Sequence, residues 1–163
     1  MYSTRIEYEP FDLRKSQTPY YLLIAGSRTY CNTVEFSNVM DSFIAEHLRV
    51  YRSITIVSGG CHSGADAMAE CYAMSRGLNI VVIPADWKQY GKRAGYIRNE
   101  EMHMFIEQKS TDRGCLLFWD MCSKGTAHSI HLSQKHNNPL WIYNTLEHKF
   151  LGKPEISLIM SMC

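Results

Sequence analysis

No stretch of the 163-residue chain approaches the ~18 consecutive apolar residues that a membrane-spanning helix needs. The opening residues, Met1-Tyr-Ser-Thr-Arg-Ile-Glu-Tyr-Glu9, lack the apolar core of a secretory signal. The expectation is therefore an intracellular, cytoplasmic protein with no membrane partner. Neither sign of charge dominates, because 17 Lys and Arg stand against 16 Asp and Glu for a net charge of +1. That balance removes the general electrostatic case for nucleic acid. Six cysteines are present without a single Cys-x-x-Cys pair, so a structural zinc site has no framework and the thiols read as free. No Lys-Ser/Thr follows the glycines as a Walker loop requires. Repeats, low-complexity tracts and linkers are missing too, and a chain of this length without them reads as one domain with a real core.

What is present is clearest from Ser53 to Ile83. Ile54, Thr55, Ile56 and Val57 form a β-branched run that reads as a buried strand, and the small-residue turn Ser58-Gly59-Gly60 stops it. A helix follows. Ser63 is its expected N-cap, with Asp66 three residues on as in a capping box. Ala65, Met68, Ala69, Tyr72 and Ala73 supply an apolar stripe, and Gly77 is the expected C-cap. Asn79-Ile-Val-Val-Ile83 is the next strand. A strand, a glycine turn, a helix and a strand predict a parallel βαβ unit. Paired glycines ahead of a helix start, with its unpaired N–H groups and positive dipole end, suit a phosphate.

Two further loops repeat the pattern. Tyr20-Tyr-Leu-Leu-Ile-Ala25 reads as a buried strand running into Gly26-Ser27-Arg28-Thr29, where the arginine adds a cation. Cys115-Leu-Leu-Phe-Trp119 is a fourth strand, and Lys124-Gly125-Thr126 begin the helix after it. Between these, Val34 to Leu48 carry helical periodicity over Thr33 to about Val50, with Asn32 or Thr33 as cap. The loop from Pro84 to about Ala94 holds Asp86, Trp87, Tyr90, Lys92 and Arg93, a natural cover for a base or sugar phosphate. From about Gly95 a helix is expected, its first turns bearing Arg98 and Asn99; a cation there is disfavoured by the dipole, so Arg98 should face an anion or a carboxylate. Met102, Met104 and Phe105 on that helix could offer an apolar patch for a homodimer or higher oligomer. His128 and His131 share a helix face but lack supporting ligands, so no metal is expected. Pro139-Leu-Trp-Ile-Tyr143 is a fifth strand. Residues 1–19 read as an arm, 20–143 as the domain, and 144–163 as a tail packing on it. The fold class is α/β with a mostly parallel sheet of about five or more strands.

Ile24-Ala-Gly-Ser-Arg28, Val57-Ser-Gly-Gly-Cys-His-Ser-Gly-Ala-Asp66, Pro84-Ala-Asp-Trp87, Ala94-Gly-Tyr-Ile-Arg-Asn-Glu-Glu-Met102 and Phe118-Trp-Asp120 with Lys124-Gly-Thr126 occur in one order along the chain. In this the chain resembles the SLOG superfamily, which groups the DNA-uptake protein DprA with the cytokinin-activating LOG phosphoribohydrolases, and within it the YspA-like branch. The resemblance implies a Rossmann-like three-layer sandwich and a nucleotide-type small molecule at the glycine loops. The ligand residues expected are then Gly26, Ser27 and Arg28; Gly59, Gly60, His62, Ser63, Gly64 and Asp66; Asp86, Trp87, Tyr90, Lys92, Arg98 and Asn99; and Lys124, Gly125 and Thr126. LOG enzymes carry a glutamate three residues after the threonine of their glycine loop; here that position is Ser129, which brings no negative charge to an oxocarbenium-like centre.

Three functions compete on these residues. The first is capture of a nucleotide or nucleotide-derived signal, such as an ADP-ribose-like molecule, for sequestration or sensing in conflict between bacteria and phages, with no cofactor. The second is an N-glycosidic hydrolase or sugar transferase acting on nucleotides, with Arg98, Asp66 and Glu100 as catalytic candidates. The third is single-stranded DNA binding through Trp87, Tyr90, Lys92 and Arg93, against which the near-neutral charge argues.

Overall fold

The structure, a computed structural model, describes residues 15–162. Most of the expected arm lies outside them; within them, the Ser16 N–H donates to the Val50 carbonyl at 2.9 Å.

The strands are β1 (Tyr20–Gly26), β2 (Ile54–Ser58), β3 (Asn79–Val82), β4 (Arg113–Trp119), β5 (Leu140–Asn144) and β6 (Lys149–Phe150). They form one sheet in the order β3-β2-β1-β4-β5-β6, parallel throughout except for β6, which pairs antiparallel with β5. β2 and β4 are near-continuous apolar runs because helices cover both faces. Side chains alternate through the sheet. Leu22 and Ile24 face Phe36 and Met40 of α1 (Thr33–His47) and Ala69 and Tyr72 of α2 (Gly64–Arg76). Leu23 and Ala25 face the opposite layer, built by Met102 and Ile106 of α4 (Ala94–Lys109) and Ile130 of α5 (Lys124–Lys135). The chain is a Rossmann-like three-layer sandwich. Its strand order reverses between β1 and β4, and the crevice at such a switch point, beyond the carboxyl ends of the strands, is where doubly wound sheets take ligands.

Local signals explain most element ends. Asn32 Oδ1 accepts the Glu35 N–H at 3.1 Å to start α1, and Gly77 closes α2 with φ of 65°. α1 stops at His47, short of the expected Val50, because residues 48–51 turn back and Val50 gives its carbonyl to the arriving chain at Ser16. Ser63 precedes α2 in extended conformation but makes no capping hydrogen bond; the expected capping pair is not formed, since Asp66 Oδ2 instead accepts the Cys61 N–H at 3.2 Å.

The stretch expected as an open loop is ordered. Asp86 Oδ1 accepts the Gln89 N–H at 3.0 Å and starts a one-turn helix, α3 (Trp87–Tyr90), which passes through a 3-10 turn at Gly91–Arg93 into α4. Beyond β5, the hairpin to β6 leads to α6 (Lys153–Ser161), where Ile156, Ile159 and Met160 pack against the core beneath α4 and α5. Met102 is fully buried in that core, and Phe105 is partly buried edge-on against Tyr21 at 6.1 Å. Of the three side chains expected to form an apolar patch, only Met104 is exposed. No helix among the described residues is long and apolar enough to cross a membrane.

Candidate ligand-binding cleft

β1 ends at Gly26, and the next residue, Ser27, sits at the switch point with its hydroxyl directed across to β4. Ser27 Oγ donates to Asp120 Oδ2 at 2.9 Å, and lies 2.9 Å from Thr29 Oγ1. Asp120 is the first residue past β4, and its other oxygen accepts the N–H groups of Cys122 at 3.1 Å and Ser123 at 2.7 Å. Burial alone would raise this carboxyl, but those two N–H groups and the Ser27 hydroxyl outweigh it and hold Asp120 below the usual carboxylate range. Asp120 thus fixes the approach to α5 and ties it to the β1 loop.

The β2 turn meets this arrangement through α2. Gly64, the first residue of α2, has φ of +70°, and a Cβ there would strike the Ser27 carbonyl and the Arg28 backbone. Only glycine lets the start of α2 lie against the β1 loop. Asp66, two residues on, is 6% exposed and pairs with Arg98 Nη1 at 3.8 Å. The same Nη1 donates to the Gly59 carbonyl, while Arg98 Nε donates to Asn99 Oδ1 at 3.0 Å. Arg98 therefore faces both a carboxylate and a carbonyl, as its place in the first turns of α4 led one to expect. Desolvation raises the Asp66 carboxyl above its ordinary value, exceeding the downward pull of Arg98 and of the Cys61 N–H. Asn99 Nδ2 in turn donates to the Gly125 carbonyl at 3.3 Å, joining α4 to α5.

These groups line one cleft of about 420 Å³, within the range of small-molecule sites. From the β1 loop come Gly26, Ser27 and Arg28; from the β2 turn and α2, Cys61, Ser63 and Asp66; from the start of α5, Ser123, Gly125, Thr126 and Ser129. α3 and α4 form the remaining wall through Trp87, Lys92, Tyr96, Arg98 and Asn99. Arg28 stacks over the Trp87 ring at 5.7 Å, so the cation and the half-exposed indole make a single rim.

The three loops singled out by sequence do open on one space, but not through all the residues expected. Gly59 and Gly64 stand behind the wall and act by permitting close packing. Gly60, His62, Tyr90 and Lys124 do not line the cleft. Asp86 is occupied as the cap of α3. Glu100 does not line the cleft either; it is bonded to Lys135 at 2.7 Å and His136 at 2.9 Å. Sequence reasoning left Cys61, Tyr96, Asp120 and Ser123 out of the expected lining residues, and reached Ser129 only as the position where LOG enzymes carry a glutamate. Asp120 was recoverable as the polar residue ending an apolar strand, and Ser129 as the residue one turn beyond Thr126 on the same helix face. Among the described residues, no three His, Cys, Asp or Glu side chains are grouped to hold a metal ion.

Residues 21–90 match the sequence profile of the YspA, cpYpsA-related SLOG family. The chain is 32% identical over 124 residues to the Gene 61 protein of Mycobacterium phage D29, an alignment covering 73% of this chain and 92% of the phage protein. A solved structure, described as a predicted subunit of tRNA methyltransferase from Methanocaldococcus jannaschii DSM, aligns over 87% of this chain and 74% of that one, at 14% identity and a TM-score of 0.35.

Proposed function

Because the chain belongs to the YspA, cpYpsA-related SLOG family, we propose that the cleft at the β1–β4 switch point binds a nucleotide or a nucleotide-derived signal of the nucleoside phosphate or ADP-ribose type. The observation that carries this reading is the convergence of the β1 loop, the β2 turn and the start of α5 on one cleft rimmed by Arg28 and Trp87. A helix N-terminus and a neighbouring cation suit a phosphate, and an indole face suits a base. The role is sequestration or sensing. On this proposal the protein acts in the cytoplasm of a bacterial host, in conflict between phage and bacterium; the likeness to a mycobacteriophage protein supports the phage context.

Binding is favoured over turnover by the state of the charged groups. Arg98 and Asp66 are committed to each other and to backbone groups, and Glu100 is outside the cleft. Calorimetry against AMP, ADP, ATP, ADP-ribose and the cyclic ADP-ribose isomers tests the proposal. Measurable heat with at least one of these is expected, and silence across the panel would end it.

One observation favours a second reading. Asp66 is a buried cleft carboxyl held above its ordinary range, the environment in which carboxyls serve as acids or bases. Release of free base from a nucleoside monophosphate, followed by chromatography and abolished in Asp66→Asn, would establish an N-glycosidase. Tight binding without free base establishes capture.

A further inference from the structure

The two faces of the sheet are unequally covered. α4, α5 and α6 pack on one, whereas among the described residues only α1 and α2 pack on the other. On that second face the sheet continues past α1 to β5 and β6, where Trp141 is partly exposed and Phe150 is exposed. A second cavity, of about 470 Å³, opens there beside the end of α1. It shares no described lining residue with the cleft at the switch point.

Phe43, His47 and Tyr51 line it at four-residue spacing, which stacks them along one stripe of α1 and its continuation. The Phe43 and His47 rings are 19° from parallel, and those of His47 and Tyr51 18°. Trp141 stands across this row at 83° to Phe43 and 84° to His47, with ring centroids 5.1 and 5.6 Å away. Aromatic walls meeting near a right angle, with Phe150 on the β6 side, make an open box.

The box gathers negative potential. Aromatic rings present negative faces. His47 Nδ1 lies 2.8 Å from the Phe43 carbonyl, which only accepts, so that nitrogen carries the proton and Nε2 of the neutral ring is left as an acceptor. Glu46 adds a carboxylate that makes no ion pair among the described residues, and no Lys or Arg is among the described lining residues. The cleft at the switch point is lined instead by Arg28, Lys92 and Arg98 together with Asp66 and Asp120. A phosphate has nothing to hold it in the box, whereas a cation has. A weakly hydrated cation leaves water at the least cost, which favours a methylated ammonium over a bare one.

We propose that the box of Phe43, His47, Trp141 and Phe150, with Glu46 at its rim, binds a small quaternary ammonium compound. Calorimetry with choline and with 3,3-dimethyl-1-butanol, its uncharged isostere, tests it on the wild-type protein, Glu46→Gln and Glu100→Gln. Wild-type protein should bind choline at least about tenfold more tightly than the alcohol, the scale of a desolvated cation over ring faces. Glu46→Gln should weaken choline several-fold and leave the alcohol unchanged. Glu100→Gln makes the same charge change away from the box and should leave both unchanged. Equal binding of choline and the alcohol overturns the proposal by showing a groove blind to charge, and silence from choline overturns it outright. So does a Glu46→Gln protein that binds choline no more weakly than Glu100→Gln. The indole N–H resonances report location: choline should shift that of Trp141 and leave that of Trp87 in place, and the reverse overturns the proposal by seating choline at the other cleft. The nucleotide reading stands or falls separately, on the AMP and ADP-ribose titrations.

Discussion

Asp66 of α2 and Arg98 of α4 meet at 3.8 Å above Gly59, although their helices pack on opposite faces of the sheet. The pair closes over the carboxyl end of β2 and clamps the two outer layers together at the cleft. Both side chains are nearly inaccessible, at 8% and 9% exposure, so each charge depends on the other for compensation. Arg98→Ala should destabilise the fold by about 3 kcal/mol, because it strands a buried carboxylate. Adding Asp66→Asn to it should cost less than the sum of the single changes, a coupling that denaturant titration of the four proteins in the cycle measures. Additive losses would show the pair to be uncoupled.

The glycines beneath this clamp give a second prediction. Gly59→Ala places a methyl group inside the Arg98 guanidinium and 2.8 Å from Asp66 Oδ2. Gly64→Ala meets backbone rather than a side chain, at a residue with φ of +70°. Overpacking typically costs about 1–3 kcal/mol. Gly64→Ala should be the worse of the two, since Arg98 can shift and the Ser27–Arg28 backbone cannot do so cheaply. Urea midpoints for the two variants decide the order.

What could be seen in the sequence follows from how locally each feature is encoded. β2 and its turn were legible because a β-branched run meets two glycines, and the C-cap of α2 because Gly77 has no rival for a left-handed residue. The cleft was legible in outline, since three small-residue loops after parallel strands must share one sheet edge. Ser63 and Asp66 misled because the capping signal is local, while Asp66 answers to Arg98, which lies 32 positions later in the chain. The same applies to Glu100, whose neighbours Lys135 and His136 come from another helix. α3 and β6 escaped notice because four and two residues show no period.

Glu100 and Trp87 make a paired prediction about binding. Trp87 is 51% exposed at the rim, so Trp87→Ala should alter stability by less than about 0.5 kcal/mol. If its ring carries a base, affinity for AMP should fall by about 1–3 kcal/mol. Glu100→Gln disrupts partly exposed pairs and should cost less than about 1 kcal/mol of stability, with AMP affinity unchanged because the residue is outside the cleft. Calorimetry on both variants separates rim from surface; a binding loss in Glu100→Gln with Trp87→Ala unaffected would reverse the assignment.

Acid sensitivity should arise between α4 and α5, away from the cleft. Asn138 Oδ1 accepts the Arg113 Nε–H at 2.5 Å, which fixes its amide so that Nδ2 donates to His103 Nδ1 at 3.1 Å. The His103 proton is then on Nε2, a buried atom without a partner among the described residues. Protonating the ring would bury a charge, and burial, reinforced by His136 and His128 and opposed by Glu100, lowers His103 from 6.5 to about 3. The unfolded chain therefore binds a proton at a pH where the folded protein refuses it, so stability rises with pH across that interval. It is fully present above the unfolded value and is lost progressively as the pH falls toward the folded one. Between about pH 7.5 and about pH 5, before most carboxylates titrate, the loss should be about 2 kcal/mol. His103→Gln should fold with lower stability at neutral pH but with a flatter slope over that window, read from urea midpoints at each pH. An unchanged slope would place the acid sensitivity elsewhere, with His128, whose pKa burial also lowers, as the next group to replace.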